Sequence, residues 1–122
     1  MKLRIKGNSV RLRLTRPEVA RLRDAGLVEE SVGFSGGEVL TYRLRSVATP
    51  GPLRAAFRQG TIEVTVSSET ARDWAVAEEV GLYAQAGGLQ IIIEKDFRCL
   101  TRPDCEEPDA YPNPAQGSHD RR

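Results

Sequence analysis

The chain has 122 residues, with 18 lysines and arginines against 17 aspartates and glutamates, and a formal net charge of +1. This length suffices for one domain with a hydrophobic core, and no segment has the roughly 20 consecutive apolar residues that a membrane helix requires. We therefore expect a cytoplasmic protein that does not enter a membrane.

The positive charge is concentrated at the start of the chain. Eight lysines and arginines precede Asp24, and Glu18 is the only acidic residue among them, whereas the rest of the chain is net acidic. Such a division between the two parts of a chain is typical of proteins that contact a polyanion with one of them.

The first predicted element is a β-hairpin. Residues 2–6 and 9–14 alternate polar and apolar side chains with a period of two, which is typical of strands with one buried face. Gly7-Asn8 between them favours a tight turn because both residue types tolerate positive φ. The apolar side of the hairpin carries Leu3, Ile5, Val10, Leu12 and Leu14.

A helix of roughly ten residues is predicted directly after this hairpin. Thr15 and Glu18 have the spacing of a capping box, in which each side chain accepts a hydrogen bond from the other residue's backbone N–H. Pro17 is compatible with a first helical turn, and Gly26 is expected to end the helix.

A second hairpin is predicted next, over 27–34 and 38–45, and the same order of elements then repeats. After a break at Thr49–Pro52, the sequence predicts a hairpin over 53–58 and 61–66, a helix over 67–80 and a hairpin over 81–85 and 89–97. The second helix is expected to point Ala71, Trp74 and either Ala75 or Ala77 inward.

The two halves can be aligned at a uniform offset of 52 residues, which places Leu22 on Trp74 and Leu40 on Ile92. Few residues are identical, so an internal duplication and a mere match of pattern are both open. Because each ββαββ unit alone has too little core, we expect the two to interlock. The predicted fold is α+β and mainly antiparallel: halves 1–46 and 53–97 form one barrel-like domain over 1–97, a monomer with internal pseudo-symmetry, followed by an irregular tail over 98–122.

The predicted tail is acidic, rich in proline and without periodicity, which favours an extended segment. Cys99 and Cys105 are expected to be free thiols, with a disulfide as the alternative. No metal or cofactor is expected, because two cysteines and His119 are too few ligands for zinc. Three apolar side chains could either bind a protein partner or pack on the protein's own sheet; they are Phe97, Leu100 and Tyr111.

Two stretches resemble the AbrB/MazE-type swapped-hairpin transcription regulators. They are Gly7-Asn8-Ser9 followed by Val10–Leu14, and Gly88–Glu94 in the second half. In that family two chains interlock as a dimer whose basic N-terminal hairpins contact DNA. The resemblance implies that both copies lie here in one chain, a pseudo-dimer with a single basic hairpin. The whole chain also resembles a family of small bacterial proteins of unknown function, which implies no activity.

The first hairpin also carries the candidate site. If its apolar residues face the core, its cations share the opposite face, with cross-strand neighbours about 5 Å apart. Like charges this close repel unless an anion neutralises them. Nucleic-acid phosphate would do so; the alternatives are solvation, the protein's own acidic stretches at Glu29-Glu30, Glu78-Glu79 and 104–109, or another acidic partner. The candidate nucleic-acid-binding residues are Lys2, Arg4, Lys6, Asn8, Arg11, Arg13 and Arg16.

Groups suited to catalysis are scarce. The single histidine, His119, lies close to the end of the chain, and adjacent carboxylates such as Glu78-Glu79 face different directions on a regular element. We therefore expect a non-enzymatic binding module with nucleic acid as the favoured partner. The competing hypothesis is a protein-interaction module that uses the acidic tail or the same basic face.

Overall fold

A computed structural model describes residues 1–97, which form eight strands and two helices. The elements are β1 (Lys2–Ile5), β2 (Ser9–Leu14), α1 (Arg16–Ala25), β3 (Leu27–Gly33), β4 (Val39–Val47), β5 (Arg54–Arg58), β6 (Thr61–Ser67), α2 (Ser68–Val76), β7 (Gly81–Ala86) and β8 (Leu89–Lys95). The predicted tail, with Cys99, Leu100, Cys105 and Tyr111, lies outside the described residues.

The strands form two four-stranded sheets, each built from one hairpin of each half. The first sheet has the order β1-β2-β8-β7 and the second the order β3-β4-β6-β5. The outer pairs of each sheet are antiparallel as predicted, but the central pairs, β2 with β8 and β4 with β6, are parallel. Within residues 1–97 no ladder joins the two sheets, so the barrel-like closure expected from the sequence is wrong.

The inner faces of both sheets and one side of each helix share one hydrophobic cluster. Leu12, Leu44, Val64 and Ile93 are almost completely buried at its centre, and Trp74 of α2 packs into it. Neither described helix is long and apolar enough to cross a membrane. Each sheet takes two of its four strands from each half of the chain, so neither half by itself holds a complete sheet.

The two helices differ in how well the sequence predicts their ends. α1 begins with the predicted capping box at Thr15 and ends at Gly26, whose φ of 80° suits a glycine. α2 ends at Val76 instead of residue 80. No glycine or proline marks this end; the Ala77 carbonyl accepts a hydrogen bond of 2.7 Å from Nζ of Lys95, which sequence patterns do not reveal.

The strand ladders correct the uniform offset between the halves. Leu12 pairs with Ile93 in the first sheet, and its equivalent Val64, 52 residues later, pairs with Leu44 in the second. Leu44 and Ile93 therefore occupy equivalent positions that are 49 residues apart. The predicted superposition of Leu40 on Ile92 is wrong, because the turn between β3 and β4 is longer than the turn between β7 and β8.

Candidate nucleic-acid interface

Four cationic side chains share the outer face of the first sheet. In the ladder between β1 and β2, Lys2 lies opposite Arg13 and Arg4 lies opposite Arg11. Leu12, between the two arginines, faces the core and is buried. The cross-strand pairs of like charge that the alternation predicts are therefore confirmed, and we call Lys2, Arg4, Arg11 and Arg13 the basic face.

Two carboxylates from β8 and the residue after it partly neutralise the basic face. Oε1 of Glu94 lies 3.3 Å from Nη2 of Arg13 and 3.9 Å from Nε of Arg11. Nζ of Lys2 lies 3.6 Å from Oδ2 of Asp96. Among the described residues, these two carboxylates offset part of the positive charge that Lys2, Arg11 and Arg13 bring to this face.

These two carboxylates belong to neither Glu29-Glu30 nor Glu78-Glu79, which the sequence suggested, and the third suggested stretch, 104–109, lies outside the described residues. Glu29 contacts Arg43, with 2.8 Å between Oε2 and Nε, on the outer face of the second sheet. Glu94 reaches the basic face because the parallel ladder of β2 with β8 places it opposite Arg13. The sequence predicts that the halves interlock, but it does not predict which strands become neighbours or in which register.

Asn8 and Lys6 lie in the turn at one end of the basic face. The Asn8 amide nitrogen donates a hydrogen bond of 2.7 Å to the carbonyl of Gly88, which joins the turns of two hairpins in the same sheet. This contact gives the Asn8 amide nitrogen a partner within the fold, and the predicted contact of Asn8 with nucleic acid stays a prediction. Lys6 is exposed and extends the positive surface toward the turn.

Arg16 does not join the basic face. It lines a cleft between the helices and the end of β8, together with Arg23, Lys95 and Phe97. Phe97 is exposed at this cleft, and its role in partner binding stays a prediction.

The structure adds an aromatic and two amide side chains that sequence reasoning missed. Along the first sheet, Arg4, Arg11, Ile92 and Tyr83 follow one another across the four strands. Tyr83 is 65% exposed. The next cross-strand pair on this face toward the β7–β8 turn is Gln85 with Gln90. The alternation in β7 could have placed Tyr83 and Gln85 on one face, but not beside the arginines.

The start of the chain binds two further carboxylates. The Met1 ammonium donates hydrogen bonds to Glu18 and Glu30. Burial opposes ionisation of both Met1 and Glu18, but the hydrogen bonds prevail: the pKa of the Met1 amine is raised, and the pKa of Glu18 is lowered with help from Thr15. Glu18 and Glu30 therefore bind the Met1 ammonium and do not neutralise the basic face.

An apolar groove lies between the sheets at the end away from the helices. Phe57 is 71% exposed there, and Ile5, which the alternation predicts to be buried, is 59% exposed. The groove is lined mainly by Ile5, Val10, Leu40, Phe57, Ile62 and Leu89. Ile5 is exposed because it lies at this open end of the sheets, where no described residue covers it.

Comparisons with known proteins identify a family whose function is unknown. Within residues 1–97, no cluster of histidine, cysteine, aspartate and glutamate side chains could hold a metal ion. No curated protein and no solved structure was found to match the chain, and nothing shows a relationship to the AbrB/MazE-type regulators. A model of a family of unknown function, DUF7009, matches residues 1–115. The chain therefore belongs to the DUF7009 family.

Proposed function

We propose that this protein is a non-enzymatic module that binds nucleic-acid phosphates through the basic face. The observation that carries the proposal is the direct opposition of Lys2 to Arg13 and of Arg4 to Arg11. Like charges directly opposite each other on a sheet destabilise it. A phosphate backbone offsets this repulsion and releases its condensed counterions on binding.

Glu94 and Asp96 lie beside the basic face and lower the expected strength of binding. Between two and four effective phosphate contacts would make the affinity for duplex DNA fall about 10- to 150-fold from 50 to 200 mM salt. Because the described groups on this face include few that could read base edges, binding is expected to depend little on sequence.

We also propose that residues 1–97 form one domain made of two interlocked copies of a ββαββ unit. Each sheet combines one hairpin from each half, and Leu12 and Val64 take the same buried place in their sheets. This exchange supports a pseudo-dimer within one chain, like the arrangement that the resemblance to swapped-hairpin regulators implies. One basic hairpin in such a pseudo-dimer gives a single phosphate-binding face.

The proposal is tested by fluorescence anisotropy with labelled mixed-sequence oligonucleotides, single-stranded and duplex, at low and high salt. Arg11→Glu/Arg13→Glu is expected to weaken binding at least about tenfold. Arg54→Glu/Arg58→Glu makes the same charge change on β5 of the second sheet and is expected to leave binding almost unchanged. Emission of the buried Trp74 verifies that each variant is folded.

Arg11→Gln/Arg13→Gln covers the case in which the reversed charges next to Glu94 prevent folding. It should weaken binding less than the glutamate pair but more than the control. The proposal is wrong if the folded wild-type protein binds neither form of nucleic acid at low salt. Binding of polyglutamate alone, lost in the same variants, would instead indicate an acidic protein partner.

A further inference from the structure

Tyr83 extends the basic face into a surface with both charge and an exposed ring. The ladders place Tyr83 opposite Ile92, Ile92 beside Arg11, and Arg11 opposite Arg4. Neighbouring strands lie about 4.8 Å apart, so the axis of β7, which carries Tyr83, is about 10 Å from the axis of β2, which carries Arg11. Proteins that bind single-stranded nucleic acid combine cationic side chains for the backbone with aromatic side chains on which bases stack.

The ring of Tyr83 lies over Gly81, two residues earlier on the same face. A Cβ atom added at Gly81 would lie 2.7 Å from the Tyr83 hydroxyl oxygen and 3.0 Å from its Cζ, so a side chain there would displace the ring from this position. Covering a strand glycine with an aromatic ring is a known way to stabilise a sheet. The same placement holds the ring against the strand while most of its surface stays exposed.

Hydrogen-bonding groups adjoin this ring. Gln85 and Gln90 are opposite each other on β7 and β8, and both line a shallow depression together with Tyr83 and Ile92. Each glutamine amide can both donate and accept a hydrogen bond, which suits the mixed donors and acceptors of a base edge. The outer face of the first sheet thus presents cations on β1 and β2, Ile92 between Glu94 and Gln90 on β8, and the Tyr83 ring beside Gln85 on β7.

The width of this surface determines whether a duplex or a single strand can reach both the basic face and Tyr83. Four strands span about 14 Å between the outermost strand axes, whereas the major groove of B-DNA is about 12 Å wide and admits at most a two-stranded ribbon. A duplex could therefore touch the basic face only through its phosphates and could not bring a base to Tyr83. A single strand can place its phosphates along the arginines and turn its bases toward the ring.

From these observations we infer that the outer face of the first sheet binds single-stranded nucleic acid, with a base stacked on Tyr83 and phosphates on the basic face. The inference rests on the proposed function and specifies its ligand. Tyr83 supplies stacking, which every base can provide, so binding of DNA and RNA strands with little sequence preference is expected. Gln85 and Gln90 give that base hydrogen-bonding partners.

The test measures anisotropy of labelled oligo-dT, a mixed-sequence RNA strand and a duplex of equal length. Tyr83→Leu keeps an apolar cover on Gly81 but removes the ring, and it should weaken binding of both single strands about 5- to 100-fold while duplex binding changes little. Tyr83→Phe keeps the ring and should bind as the wild type does. Phe57→Leu removes an equally exposed ring in the apolar groove and serves as the matched control.

The outcomes separate the inference from the proposed function. Nucleic-acid binding that depends on Arg11 and Arg13, but is equal for single strands and duplex or insensitive to Tyr83→Leu, overturns the inference and leaves the proposed function standing. No binding of any probe at low salt overturns both. Weaker binding of single strands by Tyr83→Leu together with wild-type binding by Phe57→Leu supports the inference.

Discussion

The outer faces of the two sheets have the same strand arrangement but distribute their charges differently. In the second sheet, arginines on β4 contact carboxylates on the strands beside it: Arg43 with Glu29 and Arg45 with Glu63. In the first sheet, the arginines of β2 lie opposite the cations of β1, while Glu94 contacts both Arg11 and Arg13 and Asp96 contacts Lys2. Among the described residues, charges of opposite sign therefore alternate on one face, whereas on the other the cations are segregated on β1 and β2.

The two sheets carry different residues at equivalent positions, which shows what the strand arrangement requires. Arg11 and Arg13 correspond, 52 residues later, to Glu63 and Thr65, and the buried Leu12 corresponds to the buried Val64. The same strand arrangement accommodates a glutamate and a threonine at these half-buried positions, so it does not require two arginines there. The two arginines are therefore not dictated by the strand arrangement alone.

The largest expected effect is the loss of unfolding free energy on truncating a core residue, and it tests whether the two sheets share one core. Leu12→Ala should lower the free energy of unfolding by about 3 kcal/mol, and Val64→Ala by about 2 kcal/mol, because both side chains are almost fully buried in the same cluster. Urea unfolding followed by Trp74 emission and by circular dichroism should give one coincident transition for each. Separate transitions for the two sheets would contradict the shared core.

The next largest effect is the loss of unfolding free energy when a capping group is removed at the start of either helix. Glu18→Gln removes a capping carboxylate that also binds the Met1 ammonium, and it should cost about 1 to 2 kcal/mol of unfolding free energy. Ser67→Ala, at the start of α2, removes the acceptor of the Thr70 N–H and should cost about 1 kcal/mol. Urea titrations of both variants at neutral pH give the order, and an equal or reversed order would show that the Met1 contact adds nothing.

The pKa shifts at this contact predict how stability depends on pH. Because the pKa of Glu18 is lowered, its contribution is present above its ordinary pKa and is lost as the pH falls through the lowered value. The raised pKa of the Met1 amine adds stability below its ordinary value that is lost as the pH rises through the raised one. Glu18→Gln should flatten the acid side of a pH series of urea titrations; an unchanged slope would contradict the lowered pKa.

A smaller effect is expected from single carboxylates on the two faces. Glu94→Gln removes the carboxylate that contacts Arg11 and Arg13, and it should strengthen nucleic-acid binding about 2- to 5-fold at low salt. Glu63→Gln makes the same charge change on the second sheet, beside Arg45, and should leave binding within about 2-fold of the wild type. Anisotropy titrations of both variants decide this, and equal gains would indicate an effect of net charge alone.

The smallest effect concerns the apolar groove. Phe57→Ser should change the free energy of unfolding by less than about 0.5 kcal/mol, because the side chain is 71% exposed. A loss of 2 kcal/mol in urea titrations would show instead that Phe57 is covered in solution.

Local parts of the fold were predictable from the sequence, and non-local parts were not. Alternation and turn residues locate the hairpins, and the Thr15 and Glu18 spacing locates the start of α1, because these interactions join residues that are close along the chain. The contact of Arg13 with Glu94 depends on a parallel ladder between distant strands. Its register is set by packing in three dimensions, which a single sequence does not show.

The candidate site likewise has a local part that could be predicted and a non-local part that could not. The pairs on the β1–β2 hairpin follow from its turn and its period of two, so the basic face could be predicted. Tyr83 could not be placed beside it, since β7 reaches the first sheet only through β8. The hydrogen bond from Asn8 to Gly88 could not be predicted either, because the two residues are 80 positions apart in the chain.

Amide chemical-shift mapping of the isotopically labelled protein with oligo-dT tests the central claim most directly. The segregated charge on the first sheet predicts perturbations in β1, β2, β7 and β8 that saturate together and vanish at high salt. Amides of β3 to β6 should stay unperturbed. Perturbations centred on the second sheet, or none at saturating oligo-dT in low salt, would contradict the account.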